Sequence, residues 1–278
     1  MRLSLSNIAW DAAEDETIAT LLHRFGIDAI DVAPGKYFPD PQKATEEDIV
    51  RVKNWWSERG IEITGMQALL FGTNGLNVFG TMEAQEAMLQ HLAAVCRIGA
   101  GLGAKRLVFG SPRNRDRGEL SDHDVMSVAI PFFQRLGDIS QSYGVVICLE
   151  PNPVRYGANF MTTSAETAYI VEQVAHPSIR MQLDTGALAI NGEDPVDVLQ
   201  HWAALIGHIH ASEPDLLPLG DGATDHDKMV ATVRRYLPEY VVAIEMLATK
   251  NEPHEQSIER ALIVANRHYR NNLVGGNV

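Results

Sequence analysis

Basic residues are scarce in this sequence of 278 residues: 23 Lys and Arg stand against 36 Asp and Glu, a formal net charge of −13. A surface of that sign repels phosphate backbones and anionic membranes, so neither nucleic acid nor a membrane is expected as a partner. Cysteine is nearly absent as well. The two present, Cys96 in a helical pattern and Cys148 in an apolar strand pattern, give no disulfide framework and read as small core residues in a reducing compartment. No apolar run approaches the roughly 20 residues that span a bilayer. The opening MRLSLSNIAW also lacks the basic and long apolar regions of a signal peptide, so a soluble, cytoplasmic protein is expected. A Gly/Ser-rich or Pro-rich linker is missing too, and residues 1–278 are read as a single domain.

What fills the chain is alternation. Eight short apolar runs, RLSLSNIAW, IDAIDVAP, IEITGMQAL, KRLVFGSP, VVICLEPN, IRMQLDTG, IGHIHASE and VVAIEML, are separated by longer segments of helical period. Thr45 with Asp48 opens one helix and Ser121 with Asp124 another, and Gly60 and Gly144 close them. The segment EPHEQSIERALIVANRHYR completes an eighth strand–helix unit. Repeated βα units imply a parallel sheet, and eight of them in one domain imply an α/β fold of the (β/α)8 TIM-barrel type, with a doubly wound open sheet as runner-up. The pair Trp55–Trp56 and the tail NNLVGGNV are compatible with a subunit contact, which leaves a homo-oligomer open, but helix packing and a loose end explain them equally well.

In such a barrel the active site lies at the C-terminal ends of the strands. Four consecutive strands end on metal-binding residue types: Glu150 after VVICL, Asp184 after RMQL, His210 after IGHI and Glu245 after VVAI. Converging on one axis, three carboxylates repel one another unless a cation neutralises them. Three oxygen donors and one imidazole suit a single divalent ion, Mn2+ first, with Mg2+, Co2+ or Zn2+ as alternatives.

These strand ends carry a resemblance. Through LEPNP from Leu149, LDTG from Leu183, HIHASE from His208 and AIEM from Ala243, the chain resembles the xylose isomerase-like TIM-barrel superfamily, and within it proteins similar to the ketose 3-epimerases. The likeness covers essentially the whole chain. It implies a metal held by Glu150, Asp184, His210 and Glu245, with Glu150 and Glu245 also serving as acid and base on a sugar or sugar derivative. The bottom-up chemistry agrees, because a cation bridging a carbonyl and a neighbouring hydroxyl stabilises the enediolate formed when the intervening carbon loses its proton. Return of the proton by the opposite carboxylate epimerises that carbon, and return to the adjacent carbon isomerises the sugar. The same intermediate can expel a β-hydroxyl, so a dehydratase is the first alternative; a metal-bound, non-catalytic sugar-binding barrel is the second.

Other positions qualify the substrate. Ketose 3-epimerases carry a substrate-binding His three residues after the Asp ligand and an Arg soon after the His ligand; here Ala187 and the Arg-free ASEPDLLPLG stand there, which puts a free-ketose substrate in doubt. The superfamily's apurinic endonucleases need further histidines where this chain has Gln67, Gly110 with Ser111, and Ala187, so a nuclease is not expected. In LVFGSPRNRDRG, Arg113 is the first choice, ahead of Arg115 and Arg117, to bind an anionic substrate group, against a solvated loop. Asn7, Asp31, Gln67 and Asn152 lie at or beyond other strand ends as candidates to bind hydroxyls, with loop caps as the alternative. Glu213, three residues after His210, matches an acid common in the superfamily and joins the substrate-binding candidates. His208, one layer deeper, reads as a barrel-interior histidine satisfied by neighbours rather than a group that orients a ligand. Asp225 is expected to cap the helix that follows it.

Overall fold

The alternation closes on itself. A computed structural model describes residues 1–270, and within them eight strands pair in parallel, in chain order, into one closed barrel. They are β1 (Leu3–Ser6), β2 (Ala29–Val32), β3 (Glu62–Met66), β4 (Arg106–Phe109), β5 (Val146–Leu149), β6 (Ile179–Asp184), β7 (Ile206–Ser212) and β8 (Val242–Glu245). The seam joins β8 to β1, with Leu3 opposite Val242 and Leu5 opposite Ile244. Closure removes the exposed strand edges that an open sheet would carry. The tail from residue 271, which the sequence offered as a subunit contact, lies outside the described residues.

Helices wrap the barrel: α1 (Asp15–Arg24), α2 (Glu46–Ser57), α3 (Met82–Leu102), α4 (Asp122–Ser142), α5 (Ser164–Val174), α6 (Thr185–Asn191), α7 (Pro195–Trp202), α8 (His226–Tyr236) and α9 (His254–Ala265). The expected caps form. Thr45 Oγ1 accepts from Asp48 N at 3.2 Å, Ser121 Oγ from Asp124 N at 3.2 Å and Asp225 Oδ1 from Lys228 N at 3.0 Å. Gly60 and Gly144 take left-handed φ of +66°, which suits a residue without a side chain just past a helix end. One expectation of strict alternation fails, because the segment after β6 forms two helices. Gly192 turns left-handed after α6, and Asp194 then caps α7 with Pro195 at its first position.

Strand periodicity sorts side chains between two compartments. Leu3 and Leu5 on β1, Ile30 and Val32 on β2, and Ile147 and Leu149 on β5 pack in the apolar layer shared with the helices. Alternate positions turn inward, and several of them are polar, among them Ser4, Asp31 and Gln182. Asp31 Oδ1 accepts from Ser4 Oγ at 3.0 Å and Thr64 Oγ1 at 2.8 Å, while its Oδ2 meets His208 Nε2 at 2.6 Å. His208 is therefore satisfied inside the barrel, as expected, although its ring also lies edge-on to that of His210, with centroids 5.2 Å apart. Trp56 is buried and packs edge-on against Trp10 and Trp55, so within this chain the tryptophan pair serves helix packing. No described helix is long and apolar enough to cross a membrane.

Candidate metal centre

The four strand-end residues converge at the C-terminal mouth of the barrel. One ligand atom from each of Glu150, Asp184, His210 and Glu245 lies within 4.8 Å of every other. Donors placed about 2.1 Å from a shared ion stand at most about 4.2 Å apart, so a small contraction suffices. His210 Nδ1 faces Glu245 Oε2 at 3.0 Å, Glu150 Oε1 at 3.5 Å and Asp184 Oδ2 at 3.9 Å. Local structure aims each group. Asp184 ends β6 and caps α6, its Oδ1 accepting from Ala187 N at 2.6 Å, and Ser212 Oγ holds the same carboxylate at 2.9 Å. Glu150 Oε2 accepts from Asn152 Nδ2 at 3.0 Å. A Cβ on Gly110 would stand 1.9 Å from Glu150 Oε2, so only glycine leaves room for this carboxylate.

The charges do not balance without a cation. Burial, followed by the neighbouring charges of Glu150 and Glu245, pushes Asp184 up to about 7. Burial works against ionisation of Glu150 as well, but hydrogen bonding to His210 and the attraction of its ring hold that carboxyl below its usual range. His210 is held well above 6.5, its burial outweighed by Glu245 and Glu150. The imidazole thus stands in, as a shared proton carrier, for a missing positive charge. A divalent ion would replace that proton with two charges at the centre of the same oxygens, so the donor set fits a hard or borderline metal.

Above the cluster opens a cavity of about 520 Å3 lined by Glu150, Asp184, Glu245, Gln67, Asn152 and Glu213 together with apolar side chains. Gln67 is 2 % exposed, and neither of its amide atoms has a hydrogen-bond partner. Glu213 touches the cavity but is committed elsewhere: Gly220 N and Thr224 N donate to it at 2.8 and 2.9 Å, and His226 Nε2 lies 2.9 Å away. Asp31, Asn7 and Arg113 stand apart from the lining, and Asp31 is taken up by Ser4, Thr64 and His208 inside the barrel. Asn7 is buried with its Oδ1 accepting from Ala33 N at 2.7 Å. Arg113 is exposed and donates at 2.7 Å to Thr73 O and Asn74 Oδ1.

The arginine loop holds a residue that the sequence placed behind Arg113. Arg115 is 1 % exposed, and none of its guanidinium nitrogens has a hydrogen-bond partner. Burial pulls it down to about 10, and the charges of Glu150 and then Glu166 act in the other direction. In the single-turn 3-10 helix Arg113–Arg115, residues two apart differ by about 120° in direction, so Arg113 stays exposed while Arg115 is buried. Lys36 and Tyr156 also line the cavity. Each follows a strand by several loop residues, where no period marks direction.

A closed eightfold βα barrel with an acidic, histidine-containing centre at its C-terminal mouth defines the class. The chain belongs to the xylose isomerase-like TIM barrel family, whose model matches residues 19–265. It is similar to a D-psicose 3-epimerase from Clostridium cellulolyticum H10 solved with D-tagatose, at 14% identity and TM-score 0.80 over 97% of this chain and 99% of that one. It is also similar to a 3-keto-D-glucoside 4-epimerase from E. coli, at 17% identity and TM-score 0.77 over 95% and 98% of the two chains. A third similar structure is an IOLI protein with a bound zinc atom, at 16% identity and TM-score 0.75 over 97% and 98%. No curated protein matches the sequence.

Proposed function

We propose that this protein is a divalent-metal-dependent isomerase or epimerase of a ketone-bearing sugar or sugar derivative, with Glu150 and Glu245 as the acid–base pair and Mn2+ as the working ion. The observation that carries the reading is the buried set Glu150, Asp184, His210 and Glu245 at the floor of a ligand-sized cavity. Sugar epimerases among the similar structures support the substrate class, and the zinc atom bound by a third supports a metal in a barrel of this kind without choosing which.

A bound divalent ion supplies Lewis-acid stabilisation of the negative charge that develops on a carbonyl oxygen when the neighbouring carbon loses a proton. The protein supplies the rest. Asp184, fixed by Ala187 N and Ser212 Oγ, and His210, fully buried on β7, have little freedom and serve to hold. Glu150 and Glu245 reach the centre from strands separated by two others, each with a carboxylate oxygen turned toward His210 Nδ1. One takes the proton from carbon as the C–H electron pair moves into the carbonyl system. The other returns a proton to the opposite face, inverting the carbon, or the first returns it to the adjacent carbon. Gln67, with both amide atoms free, is placed to hold a sugar hydroxyl or carbonyl, and Asn152 keeps Glu150 oriented.

The test is solvent exchange. Incubated with Mn2+ in heavy water, the protein should place deuterium next to the carbonyl of D-fructose or methyl 3-keto-β-D-glucoside. Glu245→Gln with metal shown to be bound should lose that exchange by at least about a hundredfold. Exchange at the wild-type rate by this variant would remove Glu245 from the acid–base role, and loss of water from the sugar would reassign the protein as a dehydratase.

A further inference from the structure

The cavity has two chemistries. Its floor carries the carboxylates and Gln67, while much of its wall and rim is apolar: Leu69, Leu70 and Phe71 from the loop after β3, Leu216 from the loop after β7, and Leu247 after β8, with Lys36 and Tyr156 as polar members of the lining. A single exposed apolar residue is ordinary on a protein surface. Here Phe71 is 86 % exposed and Leu247 50 % exposed at the mouth of one cavity, and the apolar surface continues inward through Leu69 and Leu70, each 4 % exposed. A continuous apolar surface leading from solvent to a reactive floor is a ligand wall rather than scatter.

The wall is also built. Leu69 O meets His91 Nε2 at 2.9 Å, Leu70 O accepts from Thr73 Oγ1 at 2.7 Å and Phe71 N donates to Ala68 O at 3.1 Å. Ala68 is held at a left-handed φ of +54°, a strained conformation for alanine that the neighbouring contacts maintain. Across the mouth, Leu247 N donates to Leu216 O at 2.9 Å. Both sides of the opening are thus fixed in place before any ligand arrives.

A cavity of about 520 Å3 lies in the range of drug-sized ligands and well above the volume of one monosaccharide. A free sugar presents hydroxyls in every direction and would leave those facing Leu69, Leu70 and Phe71 without partners, at a cost each time. We propose that the substrate is a keto-sugar joined to an apolar group, an aryl or alkyl glycoside, with its keto end at the carboxylates and Gln67 and its apolar end against Leu69, Leu70, Phe71 and Leu247. This rests on the sugar reading above.

The experiment compares two probes that differ only in the apolar group, methyl and phenyl 3-keto-β-D-glucoside, by calorimetric titration of the Mn2+-loaded protein. The phenyl compound should bind at least about tenfold more tightly. Phe71→Ala and Leu247→Ala should each weaken the phenyl compound by about threefold or more and leave the methyl compound unchanged. Both side chains are half or more exposed, so these variants keep the fold. Equal affinity of the two probes overturns the inference and leaves the sugar reading standing; failure of both to bind, with metal present, overturns the sugar reading itself. Sedimentation of the sugar-free protein gives the remaining outcome: a dimer that Phe71→Ala dissociates, with no preference for phenyl, assigns the patch to a second copy and overturns the glycoside.

Discussion

Two carboxylate–histidine clusters lie at the end of the same strand, three residues apart, and they are solved in opposite ways. Around Glu213 the protein brings its own donors: two backbone N–H groups and His226, whose Nδ1 in turn lies 2.9 Å from Tyr269 Oη. Burial opposes ionisation there, but His226 and the N–H groups of Thr224 and Gly220 outweigh it and hold Glu213 down at about 2. Around His210 three carboxylates share few donors, and Asp184 rises to about 7. A carboxylate meant for structure arrives with enough hydrogen bonds to be an anion at no further cost. The carboxylates around His210 are left short of donors, and under the proposed function that shortage is what would favour a cation.

Exchanging the roles of the two clusters should have the largest effect. Asp184→Asn is expected to lower Mn2+ affinity by at least about a hundredfold while leaving the metal-free protein folded, because it relieves like-charge repulsion. Metal analysis with a thermal melt reads both halves. Glu213→Gln should do the reverse, keeping one ion per chain but destabilising the fold by about 3 kcal/mol, a fall in Tm of about 5–10 °C. Equal loss of metal in both variants would erase the distinction between the clusters.

Acidity should sharpen the contrast, since the two carboxyls are displaced in opposite directions. Glu213, depressed to about 2 from 4.5, contributes stability that is complete above about 4.5 and is lost as pH falls toward 2. Asp184, raised to about 7 from 3.8, favours the metal-free fold most below 3.8 and withdraws that contribution as pH rises toward 7. A metal must displace the proton held there. Mn2+ affinity should therefore climb with pH through 7, by up to about tenfold per pH unit for each proton displaced, because the proton that His210 holds well above 6.5 must leave as well; calorimetry at several pH values reads the slope. A flat profile between pH 5 and 7 would mean that no carboxyl in the cluster keeps a proton.

Arg115 provides the smallest effect. Its unpartnered guanidinium acts electrostatically on Glu150 and opposes a second cation nearby. Replacing Arg115 with Met should tighten Mn2+ binding by about threefold, with little change in melting temperature. Weaker binding would show instead that the guanidinium orders Glu150 for the metal.

The four clustered residues were legible because each ends an apolar strand, and the same two-residue period that buries the strand also fixes which way its last side chain points. The eight units were legible for the same reason. What escaped lies where no period operates. Arg113 and Arg115 sit two apart in a single 3-10 turn, and only the coordinates reveal that Arg115 is the one facing inward. Glu213 and His226 meet only because the loop between them folds back, with Gly222 so close that a Cβ would stand 2.4 Å from Glu213 Oε2. The run IEITGMQAL reads as a strand reaching Leu69, but the strand ends at Met66 and Leu69–Phe71, after the left-handed Ala68, line the cavity. The split of α6 from α7 depended on a glycine inside a stretch that otherwise looks like one helix.

The seam of the barrel has a consequence for synthesis. Seven of the strand pairings join neighbours in the chain, but Leu3 waits for Val242, and Arg270 reaches back to donate to Phe25 O at 2.8 Å. A chain emerging from the ribosome can stack its units one after another, yet its first strand keeps an unpaired edge until nearly everything else has been translated. Nascent chains stalled before β8 therefore expose the apolar strand LSLS and its neighbours to other stalled chains, and the hazard ends only when the ring shuts.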